Sequence, residues 1–283
     1  MKNLPIGIQS LIELRAFNGI YVDKTQLVHQ LVTTGKYYFF ARPRRFGKSL
    51  LVSTLKELFK GNKAVFAGLW IEDQWDWSQT SPVIHISFDA VDYQTDSLAE
   101  ALTYELSRCA ALYNLVLTSN SFKRQFQELL EKLHAKSGRV VLLIDEYDKP
   151  IIDYLETSAL DTAKTNRSVL REFYSILKSA DEQLRLVFIT GISKFAKVSL
   201  FSHLNNLSLN KNYAALAGYT QTKIETYFED YLKAAERDLT LSRDELVDKM
   251  KFWYNGFSWD GTTRVYNPFV TLSFFDNREF RNY

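Results

Sequence analysis

The sequence predicts an α/β protein in which a parallel β-sheet is flanked by helices and followed by a small helical lid. Three observations carry this expectation. Short apolar, β-rich runs alternate with longer helical stretches along roughly the first three quarters of the chain. Two of those runs, RVVLLID (139–145) and LRLVFIT (184–190), are almost unbroken in hydrophobicity, as strands buried on both faces in the middle of a parallel sheet are. From about Gly218 the pattern turns helical in TQTKIETYFEDYLKAAERD and LSRDELVDKMKFWYNG, where Ile224, Phe228, Tyr231 and Leu232 recur at helical spacing. The expected division is therefore 1–218 for the sheet and 219–283 for the lid.

Taken in order, KYYFFA (36–41) is the first strand and leads through a short turn into a helix. Leu50, Leu51, Leu55 and Leu58 share one face of that helix, and Gly61 stands where it would stop. PVIHISF (82–88) is the second strand, and the two apolar runs are the third and fourth. These last two end in polar residues, Asp145 and Thr190. Ligands of open α/β sheets bind beyond the carboxyl ends of the strands, so both positions face the expected site.

Composition narrows the class. A chain of 283 residues, 46% of them hydrophobic, buries a sizeable core without metal or disulfide support. The single cysteine, Cys109, has no intramolecular partner, and with four scattered histidines it builds no zinc pattern, so a reducing, cytoplasmic setting fits best. No stretch of about 18 apolar residues occurs, and MKNLPIGIQSLIELRAF lacks the basic and apolar regions of a signal peptide. Secretion and membrane spanning are not expected. A net charge of +2 is too small to argue for nucleic acid by field strength, although it leaves a local basic patch open.

The segment between the first strand and its helix, ARPRRFGKS, carries the most specific chemistry. A strand, a loop ending in Gly-Lys-Ser and a helix form the context of a phosphate-binding loop (P-loop), in which backbone N–H groups and the positive end of the helix dipole meet phosphates. Gly47 allows close approach, Lys48 reaches the terminal phosphates and Ser49 offers a hydroxyl to Mg²⁺; Phe46 and Leu50 flank them. The general motif wants glycine where this chain has Arg42. Pro43 would set the turn instead, while Arg42, Arg44 and Arg45 would bring three guanidinium groups towards a polyphosphate. The bland alternative is a surface turn capping a helix.

In RVVLLIDEYDKP, four apolar residues lead into Asp145-Glu146, about 95 residues after Lys48. This matches an acidic (Walker B) motif in which Asp145 binds Mg²⁺, directly or through water, and Glu146 activates the attacking water. A buried strand ending in a solvated acidic turn would look the same, and Asp148 would then stabilise that turn. Thr190, Gly191 and Ser193 follow the fourth strand, where a hydroxyl would contact the γ-phosphate and Lys194 would add charge. A glycine turn with Ser193 as helix cap fits equally. Arg167 and Arg171 are candidates for an arginine finger.

Together these segments resemble the AAA-ATPase-like family of bacterial and archaeal proteins, related to the STAND and archaeal-type P-loop ATPases. The resemblance rests on LPIGIQSLIELRAFNGIYVDKT, RPRRFGKSLLVSTLKELF, PVIHISF, VVLLIDEYDKPI, ITGISKFAKVSLFSHLNNL, AGYTQTKIETYF, KFWYNGFSW and RVYNPF, in order over nearly the whole chain. It implies ATP and Mg²⁺ as ligands, with Lys48 and Ser49 on phosphate and metal and Asp145 and Glu146 in the acidic motif. It further implies that Tyr21, Val22, Asp23 and Lys24 pack near the nucleotide base. The family shows arginine at the position of Arg42. Its longer members carry a nuclease-like domain after the lid; this chain stops at FFDNREFRNY, which suggests a truncated member or one lacking that domain.

Three functions follow as expectations. The first is an ATPase acting as a molecular switch, with subunit assembly open. The second is a non-hydrolysing ATP-binding module acting with nucleic acid or a protein, for which the lid aromatics Phe252, Trp253, Tyr254, Phe257, Trp259 and Tyr266 would offer a stacking surface. Packing of those aromatics against the core is the competing expectation. The third is a phosphotransferase, for which no segment demands an acceptor site.

Overall fold

The computed structural model describes residues 1–193 and 204–283. The four expected strands form as β1 (Tyr37–Ala41), β2 (Val83–Ser87), β3 (Val140–Asp145) and β4 (Leu184–Gly191). A fifth, β5 (Asn205–Asn206), is two polar residues long and carries no apolar signal that the sequence could have shown. All pairings are parallel, and the order among the described residues is β2-β3-β4-β1-β5. The register sets Ala41 opposite Gly191 and Ser87 opposite Asp145, which lines up the carboxyl ends of the strands on one edge of the sheet.

Alternation along each strand serves two cores. Phe39, Leu142, Ile144 and Ile189 face one side, which α4 (Leu98–Ala111), α5 (Phe122–Ser137) and α7 (Leu160–Ser179) cover. Tyr38, Phe40, Leu143 and Phe188 face the other, covered by α1 (Leu11–Ala16), α2 (Thr25–Thr34) and α3 (Lys48–Phe59). The helix after β1 ends as expected: Gly61 follows it with φ +73°. Leu51, Leu55 and Leu58 are buried, whereas Leu50 turns to a cavity described below. A short α6 (Lys149–Ile152) follows β3.

The C-terminal region contains α8 (Gln221–Tyr227), α9 (Glu229–Leu239), α10 (Arg243–Tyr254) and α11 (Pro268–Asn277) around a core of its own. Ile20 and Val22, from before the first strand, are part of that core. An antiparallel hairpin, β6 (Phe257–Ser258) and β7 (Arg264–Val265), interrupts the helices, turned by Asp260, which accepts hydrogen bonds from the N–H and hydroxyl groups of Thr262 and Thr263. At the junction, Tyr219 and Tyr266 exchange backbone hydrogen bonds of 3.1 and 2.8 Å. Gly218 permits this approach: its φ is +86°, and a Cβ there would lie 3.0 Å from Val265 Cβ. No helix among the described residues is long and apolar enough to cross a membrane.

Candidate nucleotide site

The loop between β1 and α3 is shaped by two left-handed residues, Arg45 (φ +67°) and Gly47 (φ +88°), the latter capping α3. At Arg45 this conformation is strained for a residue with a side chain. Lys48 begins the helix, is almost fully buried, and donates from Nζ to the Pro43 carbonyl 3.2 Å away. Burial pushes its pKa down, opposed by Glu146, Asp145 and Asp148. Lys48 is thus a buried cation facing carboxylates, with an ammonium free to exchange a carbonyl for a phosphate oxygen.

Arg42 departs from expectation. Its guanidinium turns away from the helix start and lies between the Phe40 ring (4.5 Å) and the Trp259 ring (3.9 Å), donating to the Ala41 and Ser208 carbonyls. It is 1% exposed, and the extra coordination comes from the hairpin, a contact no local pattern encodes. Phe46, also buried, meets Phe257 and Trp259 edge-on at 4.8 and 5.2 Å, and the Arg45 guanidinium stacks 3.8 Å over Phe269. Three loop residues are therefore held by the C-terminal region. Of the lid aromatics, Tyr254 and Tyr266 are buried, Phe257 and Trp259 clasp the loop, and Phe252 is 86% exposed.

Across the sheet, β4 lies between β1 and β3, so Thr190 stands between the loop strand and the acidic pair. Its hydroxyl donates to Asp145 Oδ1, while the Glu146 N–H donates to Thr190 Oγ1 at 3.4 Å. Thr190 thus orients the acidic strand end. Glu146 adopts φ +54°, a left-handed conformation typical of functional turns. Burial and the adjacent Asp145 push its carboxyl above the ordinary range, against the pull of Lys48. Buried Asp148 accepts the N–H groups of Ile192 and Ser193, both at 2.9 Å, with the Ser193 hydroxyl at 3.4 Å; Ser193 is tied into the turn, and Tyr147 donates to its carbonyl. Lys194 lies outside the described residues.

These elements enclose a cavity of about 600 Å³, within the range of small-molecule sites. Its polar end is lined by Arg44, Lys48, Ser49, Asp89, Glu146, Lys149 and Asp153. Its apolar end is lined by Pro5, Ile8, Leu14, Tyr21, Leu216 and Leu272. Arg45, Phe46, Gly47 and Leu50 also reach the wall. Arg42, Pro43, Asp23, Asp145, Thr190 and Ser193 do not line it. Tyr21 shares a hydrogen bond with Thr54 (3.3 Å) at the wall, whereas Asp23 accepts from the Thr25 N–H and hydroxyl and the Trp70 N–H, which makes it a brace for α2. Arg167 and Arg171 are exposed on α7 and do not reach the wall.

Residue-by-residue reasoning missed Pro5, Gly7, Ile8, Gln9, Asp89, Lys149, Asp153 and Phe269, which only the fold gathers here. The glycine in PIGI and the asparagine–proline in VYNPF were the available signals, since both mark turns rather than cores. As to metal, no cluster of three or more His, Cys, Asp or Glu exists among the described residues. The hard oxygens of Ser49 and Asp145 do suit Mg²⁺, which binds through one or two protein oxygens with phosphate and water completing its shell.

A parallel sheet flanked by helices, with a Gly-Lys-Ser loop leading into a helix at its carboxyl edge, defines a P-loop NTPase-like protein. The chain belongs to the AAA-ATPase-like family, described as predicted AAA-ATPases, whose model matches residues 5–201. It is also 43% identical to an "Uncharacterized protein in vnfD 5'region" of Azotobacter chroococcum mcd 1, over 100% of this chain and 53% of that protein. The chain therefore spans about half the length of that relative. Family membership supports nucleotide binding at this coarse level.

Proposed function

We propose that this chain binds ATP with Mg²⁺ in the cavity and hydrolyses it, acting in the cytoplasm as a molecular switch. The observation that carries this reading is one cavity of about 600 Å³ whose wall includes Lys48, Ser49 and Glu146 together with the apolar Pro5, Ile8, Leu14 and Leu272. The phosphates lie along the start of α3, where backbone N–H groups and the helix dipole favour them. Lys48 exchanges the Pro43 carbonyl for phosphate oxygens, and Arg44 adds charge. The Ser49 hydroxyl and Asp145 would hold Mg²⁺, which would supply positive charge against the phosphates when bound. Thr190 orients Asp145 by donating to it. Glu146 takes the proton of the attacking water as its oxygen bonds to the γ-phosphorus; the bond to the β–γ bridging oxygen breaks, and ADP leaves with that electron pair. A carboxyl pushed upward by burial is a stronger base than an exposed one.

The switch follows from the clasp. Arg42, Arg45 and Phe46 each touch the C-terminal region, so movement of the loop on phosphate contact shifts that region's packing. The test is steady-state phosphate release by wild type, Lys48→Ala and Glu146→Gln. Release by the wild type alone is expected, with Glu146→Gln still binding ATP; a wild type no faster than the variants sinks hydrolysis. A second reading, an ATP-binding module that recruits nucleic acid or protein without turnover, draws support from the hydroxyls of Thr190 and Ser193, both engaged by carboxylates. It requires ATP to raise the melting temperature with no phosphate released.

A further inference from the structure

We propose that Lys149 is a catalytic residue that meets the terminal phosphate from within the same chain, with Asp89 and Asp153 as the anions which that phosphate replaces. The inference rests on the ATPase reading above and goes beyond it by naming the cation of the reaction. Past Glu146, the polar end of the cavity closes on a small network drawn from two segments. Lys149 Nζ lies 2.9 Å from Asp153 Oδ2, 3.6 Å from Asp89 Oδ1 and 3.4 Å from Tyr93 Oη. Tyr93 in turn donates to Asp153 Oδ2 at 2.7 Å. Lys149, Asp89 and Asp153 all line the cavity that Lys48 and Ser49 line.

Hydrolysis develops negative charge on the oxygens of the terminal phosphate, and a cation placed there is among the strongest contributions a P-loop site makes. Arg167 and Arg171, the arginines which the sequence suggested, stand exposed on α7 and off the cavity wall. Lys149 stands on the wall two peptide bonds beyond Tyr147 and directly after Asp148, the residue that staples the end of β4. Its ammonium carries three donors on a flexible four-carbon stem, so it can turn from one acceptor to another without backbone movement. The bond to Asp153, joined by Asp89 and Glu146, holds it protonated.

The exchange of partners is electrostatically favourable. Asp89 is 70% exposed in its side chain, so its hold on Lys149 is screened by water. Asp153 keeps the Tyr93 hydroxyl as donor when Lys149 departs, and Arg44 lies within Coulombic reach of it, so Asp153 is not left unpaired. A terminal phosphate brings close to two negative charges and several acceptor oxygens against the single charge of each carboxylate. ADP lacks that group, and the network therefore distinguishes ATP from ADP.

The experiment measures affinities for ATP and ADP and the rate of phosphate release in wild type, Lys149→Ala, Lys149→Arg and Asp153→Asn. Lys149→Ala is expected to lower turnover roughly 100-fold, by analogy with loss of one charge-stabilising donor, and to weaken ATP several-fold while ADP affinity is unchanged. Lys149→Arg should recover part of the turnover. Asp153→Asn, which frees Lys149, should strengthen ATP relative to ADP. Wild-type turnover with an unaltered ATP-to-ADP ratio in Lys149→Ala overturns the assignment, as does equal weakening of both nucleotides, which marks a structural role. A wild type that binds ATP but releases no phosphate removes the hydrolysis reading and with it the catalytic role, while the ATP-to-ADP ratio in Lys149→Ala still tests the contact with the terminal phosphate separately.

Discussion

The Arg42 guanidinium lies 3.9 Å from the ring of Trp259, so the residue that opens the phosphate loop is held by a hairpin near the other end of the chain. Its Nε and Nη2 have no hydrogen-bond partner among the described residues, and burial pushes its pKa down to about 10. The ring face of Trp259 therefore stands in for an acceptor. Trp259→Ala is expected to lower stability by about 2 kcal/mol, the scale of a desolvated cation–π contact, and to weaken ATP. Trp259→Phe should keep most of both. Urea midpoints at constant slope, with ATP titrations, measure this; an alanine variant equal to wild type in both removes the clasp from the account.

Gly191 occupies a position where any side chain collides with the acidic motif. A Cβ there would lie 2.6 Å from the Tyr147 ring and 2.7 Å from Asp148 Oδ1. Gly191→Ala should cost about 1–3 kcal/mol, as overpacking of a tight site does, and should displace the turn that Asp148 holds. Phosphate release should fall by more than nucleotide affinity. Unchanged stability would mean that Tyr147 yields freely.

Lys24 lines the cavity, and burial together with Lys223 pushes its pKa down to about 7, against the pull of Asp23. Between about pH 7 and its unfolded value near 10.4 the unfolded chain binds the extra proton, so this residue makes stability rise with pH across that window and its effect levels off below about pH 7. The difference in melting temperature between wild type and Lys24→Met, followed from pH 6 to pH 10 (roughly the span of those two values), should shift in favour of the wild type as pH rises. A constant difference would show that Lys24 titrates as an exposed lysine does.

The apolar end of the cavity is the expected seat of the base. Ile8→Ala, at a partly exposed wall position, should weaken ATP by roughly threefold to tenfold, the scale of one or two buried methylenes. Inorganic tripolyphosphate, which has no base, should bind both forms alike. Equal weakening of the two ligands would place the nucleotide the other way round.

The sequence alone determined the class of fold, four strands, the helix after the loop and the family. Each is encoded within a contiguous stretch: apolar runs of strand length, helical spacing, and a Gly-Lys-Ser turn whose backbone conformation suits a helix start. Tertiary structure decided where those pieces stand relative to one another. It set β4 between β1 and β3, which turns the Thr190 hydroxyl onto Asp145, and it drew Arg42 away from the loop onto Trp259. It also gathered Pro5, Lys149 and Leu272 around one cavity with Lys48. The physical reason is the same in each case. A side chain's direction is settled by the partner that relieves its burial or charge, and the partners of Lys48, Thr190 and Arg42 come from elements far away along the chain, beyond the reach of any local pattern.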